Sequence, residues 1–91
     1  MEKNIELTFL YDIYGKQLTQ KQQEIFELYY LSDLSLREIA QNKGISYQAV
    51  RDSIKVSEGM LLDLENNIGM YKLKNKLNLI YHLFLNDNNL D

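Results

Sequence analysis

A run of hydrogen-bonding and basic side chains from residue 46 to residue 55 carries most of the chemistry that this sequence offers to a partner. Helical spacing places these side chains on one side of a helix, which we call the recognition face. Its members are Ser46, Tyr47, Gln48, Arg51, Asp52 and Lys55, and Arg37 lies upstream. A glutamine amide suits an adenine edge, an arginine guanidinium suits guanine or a phosphate, and a serine cap suits a phosphate. The pattern indicates a surface that binds DNA.

An ordinary solvated helix face is the alternative explanation of the same residues, and the sequence leaves it open. Asp52 and Glu58 offset Arg51 and Lys55, so the face is nearly neutral. The whole chain has ten basic and thirteen acidic residues, a formal charge of −3. Because duplex affinity rests largely on neutralised phosphates, this balance disfavours binding through bulk electrostatics. A small basic patch reaching from Arg37 to Lys55 is compatible with it.

Few residues could support catalysis or hold a cofactor. The chain has no cysteine and a single histidine, His82, which leaves no thiolate site and no His–Cys or His–His pair. Its four glycines form no phosphate-binding loop. Paired carboxylates such as Asp63 and Glu65 fall in the pattern of a solvated helix face. We therefore expect a protein that is not an enzyme and that carries no metal or cofactor.

Length and hydropathy favour one small domain over residues 1–91, located in the cytoplasm. Ninety-one residues are too few for two independent cores. The apolar runs are too short to cross a bilayer, and the N-terminus lacks the apolar region of a signal peptide, so we expect no membrane insertion.

Apolar residues at helical spacing and the absence of proline predict an all-α fold. The predicted helices cover residues 5–14, from 19 to 31–33, from 35 to before 44, 46–66 and 70–85. Thr19–Gln22 and Ser35–Glu38 form capping boxes, and Ser46 opens the fourth helix. The helix-turn-helix core is then about 19–66. The polar tail, 86–91, is expected to fray.

Two features of the first predicted helix concern its packing. Ile5, Phe9 and Ile13 lie four residues apart and share a face, with Leu10 and Tyr14 beside them. Gly15 follows as a candidate C-cap.

The segment from Leu36 to Ile54 has the spacing of a helix-turn-helix. Ala40 is small where the two helices cross, and Gly44 suits a left-handed turn. Ile45 fills the angle between the helices, while Val50 and Ile54 face inward. In this motif the N-terminal end of the second helix enters the major groove.

From Leu10 to Leu64, about three-fifths of the chain, the sequence resembles the YlxM family of small bacterial proteins. The segments that carry the resemblance are Leu10–Gln22, Glu27–Tyr30, Asp33–Ala40, Gly44–Val50 and Asp52–Lys55. The resemblance implies an all-α fold similar to region 4 of sigma factors, a relative of winged-helix domains without the wing. It also implies a regulatory part in the signal-recognition-particle pathway.

Three positions depart from the pattern of that family. Tyr47 replaces a usual arginine, and Val56 stands where arginine tends to follow Ile-Lys. Both changes would remove contacts to DNA. Lys43 replaces the usual apolar residue before the turn glycine, and we expect looser packing there. Two functions therefore stay open: a DNA-binding regulator, and an adaptor for a protein or RNA component of the signal recognition particle.

The last predicted helix carries Leu73, Leu77, Ile80 and Phe84 at spacings of four, three and four. This stripe either packs back on the first helix or forms a homodimer through the fourth and fifth helices. A two-fold dimer would let the recognition helices address half-sites about one turn of DNA apart.

Overall fold

The computed structural model describes residues 3–88, and all regular secondary structure within them is helical. The helices are α1 (Glu6–Tyr14), α2 (Gln20–Tyr30), α3 (Leu36–Lys43), α4 (Tyr47–Ile68) and α5 (Met70–Asn88), with a 3-10 turn at Gly15–Gln17. The all-α prediction is confirmed, with each helix beginning within about one residue of its expected start. The predicted fraying is wrong for residues 86–88, where α5 continues, and residues 89–91 lie outside the described residues.

Local capping fixes the start of α2, α3 and α4. The Thr19 hydroxyl accepts the Gln22 N–H at 3.1 Å, and the Gln22 side chain accepts the Thr19 N–H at 2.9 Å. Ser35 and Glu38 repeat this reciprocal pair at 3.1 and 2.9 Å. The Ser46 hydroxyl accepts the Ala49 N–H at 3.0 Å. These bonds satisfy N–H groups that have no partner inside the helix, and they confirm the predicted caps.

The long helix α4 is the central element, because it packs on α1, α2 and α3. Its first half closes a cluster of Ile25, Tyr29, Leu36, Ile39, Val50 and Ile54. Its second half closes a cluster of Leu7, Leu10, Tyr14, Leu18, Phe26 and Leu61. One helix therefore ties the helix-turn-helix to the N-terminal part of the chain.

The buried side of α1 differs from the expected one. Ile5 is 73% exposed and Phe9 is 52% exposed, whereas Leu7, Leu10 and Tyr14 are buried. The stripe of residues four apart is therefore wrong for Ile5 and Phe9, whereas Ile13 packs against the core cluster as predicted.

Gly15 is the C-cap of α1, as predicted, but its backbone is not left-handed. Its φ of −55° and ψ of −30° are right-handed helical values, and it starts the 3-10 turn. The glycine is required by close approach: a Cβ at this position would lie 2.8 Å from Cε1 of Tyr11.

The bond partner of Tyr14 is Glu65, a buried carboxylate at the end of α4. Its Oε1 accepts the Tyr14 hydroxyl at 2.9 Å and the Tyr71 N–H at 3.0 Å, and its Oε2 accepts the Lys72 N–H at 3.1 Å. The Met70 N–H donates to the Tyr14 hydroxyl at 3.1 Å. Glu65 is thus wrongly predicted as solvated, because it caps the first turn of α5 from inside the protein.

The break between α4 and α5 is sharper than the sequence predicts. The sequence predicts an interruption at Asn66, Asn67 and Gly69; Asn66 and Asn67 remain helical, whereas the interruption at Gly69 is confirmed. The chain turns at Gly69, whose φ of 71° and ψ of 25° are left-handed. An L side chain rarely adopts this conformation, so a glycine is suited to this position.

Back-packing of the α5 stripe on α1 is wrong. The ring of Tyr71, near the start of α5, stacks on Phe9 at 5.9 Å between centroids. Leu73, Leu77 and Ile80 are 48%, 55% and 55% exposed. With nine residues against nineteen, α1 is only about half as long as α5, so it cannot cover the whole helix.

We expect Gly15→Ala to destabilise the protein by about 1–3 kcal/mol. The new methyl group would press on the Tyr11 ring, which cannot move freely because it stacks on Phe26 and donates to Glu27 at 2.6 Å. Gly59→Ala is the control, since a Cβ there meets nothing within 4 Å and should stabilise α4 by roughly 0.5–1 kcal/mol. Urea unfolding measures both changes. Equal effects of the two substitutions would contradict the proposed clash.

A second prediction concerns pH. Burial acts to raise the pKa of Glu65, but the bonds from the Tyr71 N–H, the Tyr14 hydroxyl and the Lys72 N–H outweigh it, so the pKa lies below the ordinary 4.5. The charged carboxylate therefore stabilises the fold above pH 4.5, and this contribution is lost as the pH falls through the lowered value. Glu65→Gln should be less stable than the unmodified protein at neutral pH.

The difference between these two proteins should narrow in acid, where both chains carry a neutral group at position 65. Urea unfolding of both proteins from neutral to acid pH measures it. The comparison isolates Glu65, because every other carboxylate is common to the two proteins. A difference that stays constant with pH would argue against a charged Glu65 in the fold.

Candidate nucleic-acid interface

The turn between α3 and α4 positions the recognition face. Gly44 has φ 65° and ψ 35°, and its N–H donates to the Ala40 and Gln41 carbonyls. The Ile45 N–H donates to the Ala40 carbonyl at 3.1 Å. Ala40 and Ile45 are half-buried against the cluster that Val50 closes. These observations confirm the helix-turn-helix and the left-handed glycine at its turn.

The predicted contact residues lie together on the outer side of α4. Val50 and Ile54 are fully buried, which turns the opposite side of the helix toward solvent. The exposed residues are Ser46, Tyr47, Gln48, Asp52 and Lys55, and Arg51 is half-buried. The face extends over about two and a half turns of helix. It is continuous, since no other described element packs over it.

Arg37 joins this surface from α3. It is exposed in the first turn of that helix and lines a shallow groove together with Tyr47. Ser35, Leu36 and Tyr29 form the rest of the groove. The N-terminal ends of α3 and α4 therefore lie at one site, with a guanidinium and a phenol between them. Lys55 lies two turns further along α4, so the surface from Arg37 to Lys55 has a cation at each end.

The two acidic residues expected to neutralise the face behave differently. Asp52 is exposed and accepts a hydrogen bond from the Gln48 amide at 2.8 Å. Glu58 is half-buried, and its carboxylate accepts the Tyr30 hydroxyl. Burial and this bond raise the pKa of Tyr30. Glu58 is therefore committed to a contact with α2, and Asp52 remains as the exposed acidic residue of the recognition face.

A further basic residue borders the face and was not found from the sequence. Lys21, in the first turn of α2, lines a second groove with Ala49, Asp52 and Val56. It lies far from residues 46–55 along the chain, and only the crossing of α2 over α4 brings it there. The sequence signal nearest to Lys21 is the capping box that fixes the start of α2. That signal does not predict the direction in which the Lys21 side chain points.

Lys43, which replaces an apolar residue at the helix junction, is held by an ion pair. Its Nζ lies 2.8 Å from Glu24 Oε2, which links the end of α3 to α2. The hydrogen bond from Lys43, with a second from Gln20, lowers the pKa of Glu24. The expected loss of packing is thus accompanied by a polar contact, although a partly exposed pair of this kind contributes little to stability.

Two other kinds of site are absent from residues 3–88. No helix there is long and apolar enough to span a membrane. No group of three or more histidine, aspartate or glutamate side chains in that part of the chain could hold a metal ion.

Comparison with known sequences gives one family. The profile of the UPF0122 family, described as a helix-turn-helix protein, YlxM / p13 like, matches residues 1–91. A UPF0122 protein of Thermoanaerobacter sp. (strain X514) is 47% identical over 78 residues, which are 81% of this chain and 67% of the relative. One from Geobacillus sp. (strain WCH70) is 44% identical over 72 residues, 79% of this chain and 66% of the relative. One from Caldanaerobacter subterraneus subsp. tengcongensis is 50% identical over 66 residues, which are 72% of this chain and 56% of the relative. The matched stretch spans two thirds or less of these relatives.

Proposed function

Because the chain belongs to the UPF0122 family of YlxM / p13 like helix-turn-helix proteins, we propose that it is a regulatory protein that binds duplex DNA through the recognition face of α4. The family description names a fold and no ligand, so the proposed binding to DNA rests on the residues of this surface. Its arrangement is also the one expected of a fold similar to region 4 of sigma factors.

In the proposed complex the N-terminal half of α4 lies in the major groove. Gln48 contacts an adenine edge, and Arg51 contacts guanine or a phosphate. Arg37 and Lys55 contact phosphates on either side, which fixes the position of the helix on the duplex. The capped N-terminus at Ser46 adds N–H groups that favour a phosphate.

The observation that carries this proposal is the separation of charge around α4. Glu58 is half-buried and accepts the Tyr30 hydroxyl, so it is less exposed than Asp52. Arg37, Arg51, Lys55 and the bordering Lys21 lie around two exposed carboxylates, that of Asp52 on α4 and that of Glu38 next to Arg37 on α3. Although the chain as a whole is acidic, these four of its ten basic residues lie where a helix-turn-helix meets DNA.

Tyr47 gives this surface a neutral contact in place of an arginine. Its side chain is 48% exposed and lies in the same groove as Arg37. A phenol can donate a hydrogen bond to a phosphate, so the position remains able to contact the DNA backbone. Val56 is 53% exposed and adds no such contact.

A second candidate function is an adaptor that binds a protein or RNA component of the signal recognition particle without sequence-specific DNA binding. Two observations favour it: Asp52 lies in the middle of the recognition face, and the chain carries a net charge of −3. The link to that particle comes from the resemblance to the YlxM family.

The DNA proposal predicts salt-sensitive binding that depends on the recognition face. After selection of a preferred site from random duplexes, Arg51→Ala should weaken binding by about 1–3 kcal/mol, and Lys55→Ala should reduce the salt dependence by about one charge. Asp52→Asn should strengthen binding, because it removes a carboxylate near phosphates. Fluorescence anisotropy at two salt concentrations measures these changes.

Lys72→Ala is the matched control for that experiment. Lys72 lies in the first turn of α5, at the opposite end of α4 from Gly44, and its removal changes the net charge as much as the removal of Lys55. Loss of affinity equal to that of Lys55→Ala would point to non-specific attraction. Absence of binding at both salt concentrations would reject the DNA proposal.

The adaptor function predicts a direct complex with purified signal recognition particle or its receptor. Co-sedimentation and a GTPase assay, each with and without this protein, measure association and any change in rate. Under the adaptor function, neither readout requires DNA. No association and no change in rate would remove this candidate and leave the DNA proposal unaffected.

A further inference from the structure

We propose that a second copy of this chain docks on the apolar stripe of α5, with the two α5 helices antiparallel and related by a two-fold axis between Leu77 and Ile80. The stripe consists of Met70, Leu73, Leu77, Ile80 and Phe84. This assembly is separate from the DNA-binding proposal and does not depend on it.

The stripe faces away from the rest of the chain. The side of α5 next to α1 is formed by Tyr71, Lys74, Asn75 and Asn78, which border the groove between the two helices. At 100° per residue, Leu77 and Ile80 lie on the far side of α5 from Tyr71 and Asn75. Met70, Leu73, Leu77 and Ile80 are 41–55% exposed. The apolar side and the α1-facing side of this helix are therefore different surfaces, with Lys74 at the border between them.

The spacing of the stripe indicates that another helix covers it. From Met70 the apolar residues follow at intervals of three, four, three and four, which is the heptad pattern of a helix–helix seam. A seam repeating every seven residues matches a partner helix with the same repeat. The nineteen residues of α5 give about 28 Å of seam.

The distribution of charge along α5 identifies that partner as a reversed copy of the same helix. Lys72, Lys74 and Lys76 lie in its first half. The sequence from residue 77 to residue 91 contains no lysine or arginine and contains Asp87 and Asp91. Parallel pairing would bring six lysines together at one end. Antiparallel pairing places each lysine-bearing half beside a half without basic residues, and it also opposes the two helix dipoles.

One register satisfies both the stripe and the charges. With the axis between Leu77 and Ile80, Leu77 lies opposite the partner's Ile80 and Leu73 lies opposite the partner's Phe84. Lys74 then lies beside the partner's Tyr81, an arrangement that permits a cation–π contact. The same residues contribute from both copies, as a two-fold interface requires.

Sedimentation equilibrium of the full chain across the micromolar range tests the assembly. We expect a monomer–dimer equilibrium and, for Ile80→Asp, a dissociation constant raised at least about 30-fold, equivalent to roughly 2 kcal/mol. Leu79→Asp is the matched control, because Leu79 is 61% exposed on α5 but lies outside the seam, so dimerisation should persist. Circular dichroism verifies that each variant remains helical. A monomer at all concentrations, or equal effects of the two substitutions, overturns the proposal.

Cross-linking through introduced cysteines tests the direction of pairing. Because the natural chain has no cysteine, only the introduced residues can form disulfides. A mixture of the Lys74→Cys and Tyr81→Cys proteins should form disulfide-linked pairs under mild oxidation far more readily than Lys74→Cys alone. Equal cross-linking of Lys74→Cys with itself would indicate parallel helices and overturn the antiparallel arrangement.

Discussion

The inner stripe of α4 is the constraint on which this structure depends. Val50, Ile54, Ser57, Leu61 and Glu65 are the buried residues of this helix, and they follow one another at intervals of three or four. Burying this line against two successive apolar clusters sets the rotation of α4 about its axis. The rotation in turn decides which side chains face solvent. The recognition face is therefore the side of α4 that points away from the core. Ser57 and Glu65 are the polar residues of this line. The Glu65 carboxylate accepts hydrogen bonds from Tyr14 and Tyr71, whereas the Ser57 hydroxyl has no hydrogen-bond partner among the described residues.

Sequence patterns were sufficient where the determining contacts are local. The capping bonds of Thr19 and Ser35 span three residues, and the left-handed turn at Gly44 depends on one backbone conformation, so each has a signature within a few positions. The same reasoning failed for Ile5 and Phe9 of α1, because the buried side of this helix depends on contacts with residues far along the chain, such as the bond between Tyr14 and Glu65, which are 51 residues apart. It failed for Glu65 itself, since alternation of polar and apolar residues cannot distinguish a solvated carboxylate from one that caps the next helix.

The recognition face was predicted as a set of residues more successfully than as an electrostatic surface. Helical spacing was enough to place Gln48, Arg51 and Lys55 on one side of α4. The direction of Glu58 toward Tyr30 and the approach of Lys21 from α2 both require knowledge of how helices cross. Counting charges along residues 46–58 therefore missed the added cation Lys21 and the partial burial of Glu58.

Three glutamates of this acidic chain receive hydrogen bonds from tyrosine hydroxyls: Tyr11 donates to Glu27, Tyr14 to Glu65 and Tyr30 to Glu58. Tyrosine hydroxyls are thus the donors to these carboxylates, a role that lysine and arginine side chains have in many proteins. Among residues 3–88, the basic side chains that form ion pairs are Lys3 and Lys43. The charges of the other basic side chains in that range are therefore not offset by an ion pair within it. The strength of a hydrogen bond from a neutral donor changes little with salt concentration, whereas salt weakens the attraction between a cation and a phosphate. Under the proposed function, ionic strength would then change the affinity for DNA while leaving the fold intact.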